Sequence, residues 1–331
     1  MSSWLRQLTT FVAVLACAVI LPGAVSATAP PFVLSWSIAG RGGEDISVDN
    51  HGFVYVANTT FSRIEKYTDA GVLVTTWGTY GADNGQFRDP TGVAADGHGN
   101  VYVVDYSNSS VQKFSDTGVF ITQWGTQGVG NGQFYGAYRV AVDASGAHVY
   151  VTDVSSLARV QEFDANGTYI RQFGSSGTGP GQFARALGIA VDGSGNVYVA
   201  DSDGGSVSRI EKFDATGNYL TQWGSYGNNL DTQFFGARGV AVTTGGTVYV
   251  ADPGGDWMKE FSSTGSLIAR WGGQGGFCTP GLFSAQYGVA VDALGNVYVS
   301  DTSDGCVQKF GPGGTTPAHY STWGHLKTIY R

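Results

Sequence analysis

The sequence is poor in basic residues, in histidine and in helical patterning. Lysine and arginine together number 18 against 26 aspartates and glutamates, which gives a net charge of −8, and there are only five histidines. A surface of this charge repels phosphate backbones, which argues against a nucleic-acid partner. Past the N-terminal segment no stretch has apolar residues at the helical period, so a helical fold is excluded as well.

What the sequence has instead is one unit repeated six times. The clearest copy, residues 181–224, reads GQFARALGIAVDGSGNVYVADSDGGSVSRIEKFDATGNYLTQWG. Its apolar–Tyr–Val core recurs at Tyr55, Tyr102, Tyr150, Tyr198, Tyr249 and Tyr298. A regular spacing of this length indicates a repeat architecture in which each unit packs on its neighbours.

Each copy contains four short runs rich in Val, Ile, Tyr and Phe. In the clearest copy they are residues 188–192, 196–201, 209–213 and 219–223, bounded by Gly, Asp, Asn and Ser. Such runs predict β-strands. A unit of four strands cannot bury both faces of its own sheet, whereas radial stacking buries each face on a neighbour. The sequence therefore predicts an all-β, six-bladed β-propeller with four antiparallel strands per blade.

The innermost strand of each predicted blade has a small residue at its centre, as a blade that tapers toward the axis requires. These residues are Ser47, Ala94, Ala141, Ala190, Ala241 and Ala290. The propeller is expected over residues 32–324, followed by a tail of residues 325–331. Its repeats cover about 45–78, 92–125, 139–174, 188–224, 239–272 and 288–324.

Ten aspartates end the first and second predicted strands of the blades. They are Asp49, Asp96, Asp143, Asp192 and Asp292 on the first strands, and Asp105, Asp153, Asp201, Asp252 and Asp301 on the second. So many carboxylates suggest a metal array. Each one, however, precedes a glycine-containing loop, where aspartate side chains bond nearby backbone amides. We interpret them as braces of turns and loops and predict no metal ligands.

The motifs GQF, GVAVD, GNVYVAD, RIEKF and a terminal WG resemble the NHL repeat over about residues 45–323. Arrays of NHL repeats form six-bladed propellers, so the resemblance implies the same fold. It implies little about function, because one propeller scaffold hosts many unrelated activities. The family's Asn-x-Arg ahead of the third strand survives only in part, as Arg63, Arg159 and Arg209.

Residues 1–27 resemble a secretory signal peptide. Arg6 is their only charge, residues 11–21 form an apolar run that is short for a membrane span, and Val25-Ser26-Ala27 resembles a cleavage site. We therefore expect a secreted or extracytoplasmic protein with no membrane span in the mature chain; an uncleaved anchor is the alternative. Some NHL propellers bind RNA through a basic face, but export and an acidic surface argue against nucleic acid here.

Two segments compete to complete the last blade. Residues 32–37 contain a run that matches an outer strand and has no earlier repeat to complete, so we interpret them as the strand that closes the ring; residues 320–324 match the same pattern. Cys278 and Cys306 fall in two connections of the last blade that emerge on one face. An exported protein can oxidise such a pair, so a disulfide is predicted.

Propeller function usually concentrates in the loops that enter the first strand and join the second to the third. The residue before the innermost strand varies strongly between blades, and in two blades Asp45 or Arg139 replaces the first glycine of that strand. These loops predict a ligand-binding face of Glu44, Asp45, Tyr138, Arg139, Arg238, Trp257 and Tyr287. Aromatic residues and arginine are favoured at protein interfaces. Ordinary rim residues satisfied by water are the alternative.

We expect a monomeric, non-catalytic binding or scaffold propeller that recognises a protein, peptide or carbohydrate, without a cofactor. The alternative is a metal-dependent lyase or lactonase-type hydrolase with a site in the central channel, because NHL-like propellers include zinc-dependent peptidyl amidating lyases and related propellers include lactonases. Only that alternative requires Ca or Zn. The histidines do not converge on one point: they are His51, His98, His148, His319 and His325.

Overall fold

The computed structural model describes residues 30–38 and 42–312, and their regular structure is β-strand throughout. No helix in these residues is long and apolar enough to cross a membrane. The predicted signal peptide, residues 1–27, lies outside the described residues, as do the candidate strand 320–324 and the tail 325–331.

A first strand, β1 (Phe32–Ser37), precedes six groups of strands that follow one another along the chain. The groups are β2 (Gly43–Val48), β3 (Val54–Asn58), β4 (Arg63–Tyr67) and β5 (Leu73–Trp77); β6 (Pro90–Ala95), β7 (Asn100–Asp105), β8 (Ser110–Ser115) and β9 (Phe120–Trp124); β10 (Ala137–Val142), β11 (His148–Asp153), β12 (Arg159–Asp164) and β13 (Tyr169–Phe173); β14 (Ala186–Val191), β15 (Val197–Ser202), β16 (Ser208–Phe213) and β17 (Tyr219–Trp223); β18 (Gly239–Val242), β19 (Val248–Asp252), β20 (Trp257–Phe261) and β21 (Leu267–Gly272); and β22 (Gln286–Val291), β23 (Val297–Asp301) and β24 (Cys306–Phe310).

These strands form six antiparallel sheets of four strands. In five sheets, four consecutive strands follow one another outward from the innermost strand, and the sixth has the order β22, β23, β24, β1. The innermost strands are neighbours around a closed circle, from β2 and β6 through β10, β14, β18 and β22 back to β2. The six sheets are therefore the blades of a six-bladed β-propeller, and the predicted fold is confirmed.

The ring closes on the N-terminal strand. β1 pairs with β24, with Trp36 opposite Val307 and Ser37 opposite Cys306. The backbone amide of Ile38 continues this contact by donating to the carbonyl oxygen of Gly305 at 3.0 Å. Of the two candidate segments, residues 32–37 thus supply the outer strand of blade six.

The hydrophobic core is divided among the six junctions between blades. At the junction of blades three and four, for example, Val160 and Phe173 pack with Phe183 and Val199. Each such buried side chain contributes about 1.5–3 kcal/mol relative to an exposed one. Since every cluster takes residues from two blades, a blade without its neighbours would leave these side chains in water.

The motif WG and the turn glycines of the repeat belong to one contact between blades. The ring of Trp77, on the outer strand of blade one, lies against Gly118, which has φ +85° in a turn of blade two. A Cβ atom at Gly118 would lie 2.8 Å from that ring. The same contact recurs as Trp36 with Gly71, Trp124 with Gly167, Phe173 with Gly217 and Trp223 with Gly265.

The strand-end aspartates bond to turns and loops. Asp49 accepts hydrogen bonds from the backbone amides of His51 and Phe53 and from the hydroxyl of Tyr55, each at 2.9 Å. Asp105 accepts from the backbone amides of Arg88 and Asp89, at 2.8 and 3.1 Å. These carboxylates hold turns on one face of the ring and the loops entering the innermost strands on the other.

A disulfide joins Cys278 to Cys306, with their Cα atoms 6.0 Å apart. Cys278 lies in the loop that enters blade six, and Cys306 begins β24 opposite Ser37 of β1. The disulfide therefore fastens the strand on which the N-terminal strand docks.

Candidate functional site

The mouth of the central channel is built from side chains at the start of the innermost strands. Three of them, from every second blade, meet at one point: Glu44 of blade one, Tyr138 of blade three and Arg238 of blade five. The hydroxyl of Tyr138 donates to Glu44 Oε1 at 2.8 Å, and Arg238 Nη2 bonds to both the same carboxylate oxygen and the Tyr138 hydroxyl. We call these three residues the mouth triad.

Arg139 lies beneath the mouth triad and is almost fully buried, with 2% of its surface exposed. Its Nη2 donates to the backbone carbonyl of Glu44 at 2.6 Å, and its Nη1 donates to that of Thr91. Nη1 also lies 3.7 Å from Asp45 Oδ2. One side chain of blade three therefore ties blades one and two together across the mouth.

Asp45 faces the channel with little access to water. Burial raises the pKa of its carboxyl to about 6, although the nearby Arg139 charge and a hydrogen bond from the Val93 backbone amide oppose the shift. That hydrogen bond is 3.0 Å long and reaches into blade two. Below this carboxyl the channel is lined mainly by Ala and Val side chains of the innermost strands, so it offers little polar chemistry.

The guanidinium group of Arg238 is held in a fixed plane. Its central carbon lies 3.5 Å from the ring centre of Tyr287 and 5.5 Å from that of Tyr138. With Nη2 bonded to the mouth triad, the group is oriented before any ligand arrives. Its side chain remains 26% exposed.

Six of the seven predicted ligand-binding residues converge at the mouth, and four of them are more buried than a ligand-contacting surface would be. Glu44 and Asp45 are each 8% exposed, Tyr138 is 7% exposed and Arg139 is 2% exposed. These four positions therefore have structural roles, because their polar groups bond to one another and to the backbones of neighbouring blades. Of the six, Arg238 and Tyr287 keep the most surface.

Trp257 is placed apart from the other six. It begins β20, the third strand of blade five, and its ring lies under the guanidinium of Arg270 on the adjacent outer strand, 4.5 Å from the ring centre. A side chain on the third strand is separated from the channel by two strands. Its place on the third strand of the blade therefore does not bring Trp257 to the mouth.

Two cavities open above the mouth triad. The larger, of about 490 Å³, lies over blades four to six and is lined by residues including Arg185, Ser202, Arg238, Tyr287 and Ser303. The smaller, of about 310 Å³, lies over blades one to five and is lined by residues including Glu44, Asp89, Thr91, Tyr106 and Tyr138. Arg185, Leu187 and Arg238 line both, so the cavities meet at two arginines.

Sequence reasoning missed Asp89 and Arg185, which occupy the same place in the loops of blades two and four. Each lies two residues before a position that the sequence does place at the mouth, Thr91 or Leu187. Both residues lie in the loop one position before the strand begins, and the strand register shifts in β6 and β14, so strand alternation does not predict that they face the mouth. Burial, together with the charges of Glu44 and Asp105, raises the pKa of the Asp89 carboxyl.

Exposed aromatic side chains are concentrated in the loops around the mouth. Among the described residues seven aromatic side chains are exposed, and all but Phe32 lie in loops that enter an innermost strand or join a second strand to a third. The six are Phe61, Tyr80, Tyr106, Tyr135, Phe235 and Phe277. The antiparallel strand order puts these two kinds of loop on the same face. We call these six residues the aromatic rim.

The described part of the chain contains no group of three or more His, Cys, Asp or Glu residues that could hold a metal ion. His51 and His98 lie in turns on the face opposite the mouth, and His148 Nδ1 contacts Glu162 Oε1 there at 2.7 Å. His319 and His325 lie outside the described residues.

The closed ring of six four-stranded blades defines the class of this protein as a six-bladed β-propeller. The family model of the NHL repeat matches residues 87–114 and 288–310, and a family model described as a 6-bladed beta-propeller matches residues 140–225. The protein is a six-bladed β-propeller, and two of its segments match the NHL repeat.

Solved structures with the same fold include two enzymes of low sequence identity. Hydrazine synthase from Kuenenia stuttgartiensis aligns with 83% of this chain and 97% of its own, with 9% identity and a TM-score of 0.57. A gluconolactonase from Xanthomonas campestris aligns with 86% of this chain and 95% of its own, with 11% identity and a TM-score of 0.60. At such identities the likeness shows the fold alone. No curated protein sequence matches the chain.

Proposed function

We propose that the protein is an extracytoplasmic, non-catalytic binding propeller that recognises a protein, peptide or glycan through the face around the channel mouth. The observation that carries this proposal is the aromatic rim: six of the seven exposed aromatic side chains in the described residues share one face. Exposed aromatic residues are enriched where proteins bind partners, and clustered apolar surface on a soluble protein marks an interaction site.

The mouth beneath the aromatic rim supports the same function. Glu44, Tyr138, Arg139 and Arg238 link blades one, two, three and five by hydrogen bonds and ion pairs. A surface held in this way loses little conformational entropy when a ligand binds. The Cys278–Cys306 disulfide and the signal-like residues 1–27 support an extracytoplasmic location.

The test is binding to glycan and peptide arrays by the intact protein and by a Tyr80→Ala, Tyr106→Ala, Tyr135→Ala triple variant. The control is a Val72→Ala, Leu294→Ala double variant, which removes exposed apolar side chains from the opposite face. We expect the triple variant to lose array binding and the control to retain it. Equal behaviour of the two variants would contradict the proposed binding face.

The alternative activity, a metal-dependent lyase or lactonase, has its own measurement. Elemental analysis of the purified protein would find stoichiometric Zn or Ca if that alternative held, and a chelator would abolish turnover. That result, combined with an absence of binding on both arrays, would overturn the proposed function.

A further inference from the structure

We propose that the two mouth cavities bind a uronate residue of an acidic glycan, with its carboxylate on Arg185 and Arg238. This inference rests on the proposed function and specifies the chemistry of its ligand. It starts from the position where the two cavities meet, which is occupied by these two arginines.

Arg185 carries a positive charge with no ion-pair partner in the described residues, although the carboxylates of Asp203 and Asp89 line the two cavities with it. Its side chain is exposed and has no hydrogen-bond or ion-pair partner among the residues that the structure describes. Its backbone is nevertheless fixed, because the amide donates to Asp201 Oδ1 at 2.8 Å and the carbonyl accepts from the Ser202 amide at 3.3 Å. A free guanidinium on a fixed backbone, in a protein of net charge −8, makes a local site for an anion.

Arg238 supplies a second guanidinium whose orientation is already set. Nη2 is bonded to Glu44 and Tyr138, the plane stacks on Tyr287, and Nη1 has no hydrogen-bond partner in the described residues. The planar fork of arginine matches the two oxygens of a carboxylate. Because Glu44 already neutralises part of this charge, the pair of arginines suits one negative charge better than two.

The groups on either side of the arginines select a ligand rich in hydroxyl groups. In the smaller cavity the carboxylate of Asp89 has no partner within the described residues and can accept hydrogen bonds from two adjacent hydroxyls. Asp89 would also repel a second anionic group such as a phosphate dianion. In the larger cavity Ser202, Ser303 and the Tyr287 ring lie beside the arginines. Asp203 also lines this cavity, but its carboxylate already accepts hydrogen bonds from the Ser206 amide and hydroxyl and from the Val207 amide.

A uronate has both required features, a single carboxylate and a ring of hydroxyls. An acidic peptide has the carboxylate, but it lacks the adjacent hydroxyls that would bond to the Asp89 carboxylate and to the cavity serines. Of the aromatic rim, only Tyr106 lines a cavity. Neighbouring sugars of the same glycan can stack on the rim residues outside the cavities.

The experiment is isothermal titration calorimetry of the full-length mature protein with three probes: an oligogalacturonate, its methyl ester and an oligoglutamate peptide. The variants are Arg185→Ala and, as the matched control, Arg88→Ala. Arg88 is likewise an exposed arginine in a loop that enters an innermost strand, but it lines neither cavity.

We expect the oligogalacturonate to bind and its methyl ester to have an affinity at least about tenfold lower. Arg185→Ala should lower the affinity for oligogalacturonate by a similar factor. Arg88→Ala should stay within about twofold of the unsubstituted protein. Rising salt should weaken the binding that depends on Arg185.

The possible failures are distinguishable. Equal affinity for the methyl ester, equal effects of the two arginine variants, or no binding of the oligogalacturonate would overturn the uronate inference, while array binding through the aromatic rim would leave the proposed function standing. Tighter binding of oligoglutamate would replace the glycan with an acidic peptide. Loss of all array binding together with stoichiometric metal would remove the proposed function itself.

Discussion

Arg238 of blade five and Glu44 of blade one are 194 residues apart in the sequence, and their side chains form an ion pair above the central channel. Blade six lies between them in the ring. The pair therefore forms only if the ring has closed with six blades in the right order. Arg238 lines both mouth cavities and Glu44 lines the smaller one. The ion pair that requires a closed ring therefore also forms part of the candidate site.

Removal of the shared carboxylate should destabilise the protein. Glu44 Oε1 lies 3.8 Å from Arg139 Nη2 as well as bonding to Arg238, so Glu44→Ala would leave Arg238 without a counter-charge and Arg139 with Asp45 alone. We expect a loss of about 2–3 kcal/mol in the free energy of unfolding, somewhat less than for a fully buried pair. Denaturant titration measures it. Tyr138→Phe, which removes only a hydroxyl, should lose about 1 kcal/mol. An equal loss in both variants would show that the carboxylate has no special role.

A methyl group at Gly188 should disturb the junction of blades four and five. Its Cβ would lie 2.2 Å from the backbone carbonyl oxygen of Arg238, which cannot move without shifting β18. We expect Gly188→Ala to lower the free energy of unfolding by about 1–3 kcal/mol.

Gly205→Ala is the control for this substitution, because nothing lies within 4 Å of a Cβ built there. Its effect on stability should stay within about 0.5 kcal/mol. Similar losses for the two glycines would contradict the close approach of the two innermost strands.

The disulfide should stabilise the seam of the ring. It closes a loop with a sequence separation of 28 residues, and closure of such a loop in the unfolded chain corresponds to about 3.5 kcal/mol. We expect the free energy of unfolding of a Cys278→Ser, Cys306→Ser variant to be lower by that amount. The variant should therefore unfold at a lower denaturant concentration. Mass mapping under non-reducing conditions checks the bond directly, and two free thiols in the purified protein would disprove it.

Ionisation of Asp45 should make stability depend on pH. Since burial raises its pKa from 3.8 to about 6, the folded state holds the proton more tightly than the unfolded chain does. Stability is therefore highest below about pH 4 as far as this group is concerned, and about 3 kcal/mol is lost as the pH rises through 6.

The measurement is denaturant unfolding of the unsubstituted protein and of Asp45→Asn at pH 4, 5, 6 and 7. The asparagine keeps a group that can accept the hydrogen bond from Val93 but does not ionise. We expect the stability of the unsubstituted protein to fall relative to the variant across this range. Two parallel stability curves would mean that Asp45 ionises without cost.

The fold could be predicted because the same local sequence features recur in every repeat. Strand-forming runs, turn glycines and small central residues such as Ala190 recur in phase, and no unit of that size can bury two sheet faces alone. Choice of the closing strand was harder, because residues 32–37 and 320–324 carry the same outer-strand pattern. The pairing of Trp36 with Val307 depends on which segment reaches the free edge of β24, and sequence periodicity does not contain that information.

The candidate site was only partly predictable. Sequence position places Glu44, Tyr138 and Arg238 at the channel mouth, but it does not say that side chains from alternate blades span the gap and bond to each other. That outcome depends on the ring diameter and on side-chain rotamers. Asp89 and Arg185 lie in loops before strands whose register shifts, so alternation does not predict their direction. The position of Trp257 depends on the loop that precedes its strand, the third of blade five.

The partner of β24 is the first of the described strands in the sequence. β1 is translated before the other described strands, and its native partner does not exist until Cys306–Phe310 has been translated. Throughout that interval the nascent chain carries an open strand edge and the unburied indole of Trp36, which invite association with other chains. A chain that stops before β24 therefore keeps every earlier blade sequence and still cannot complete the fold.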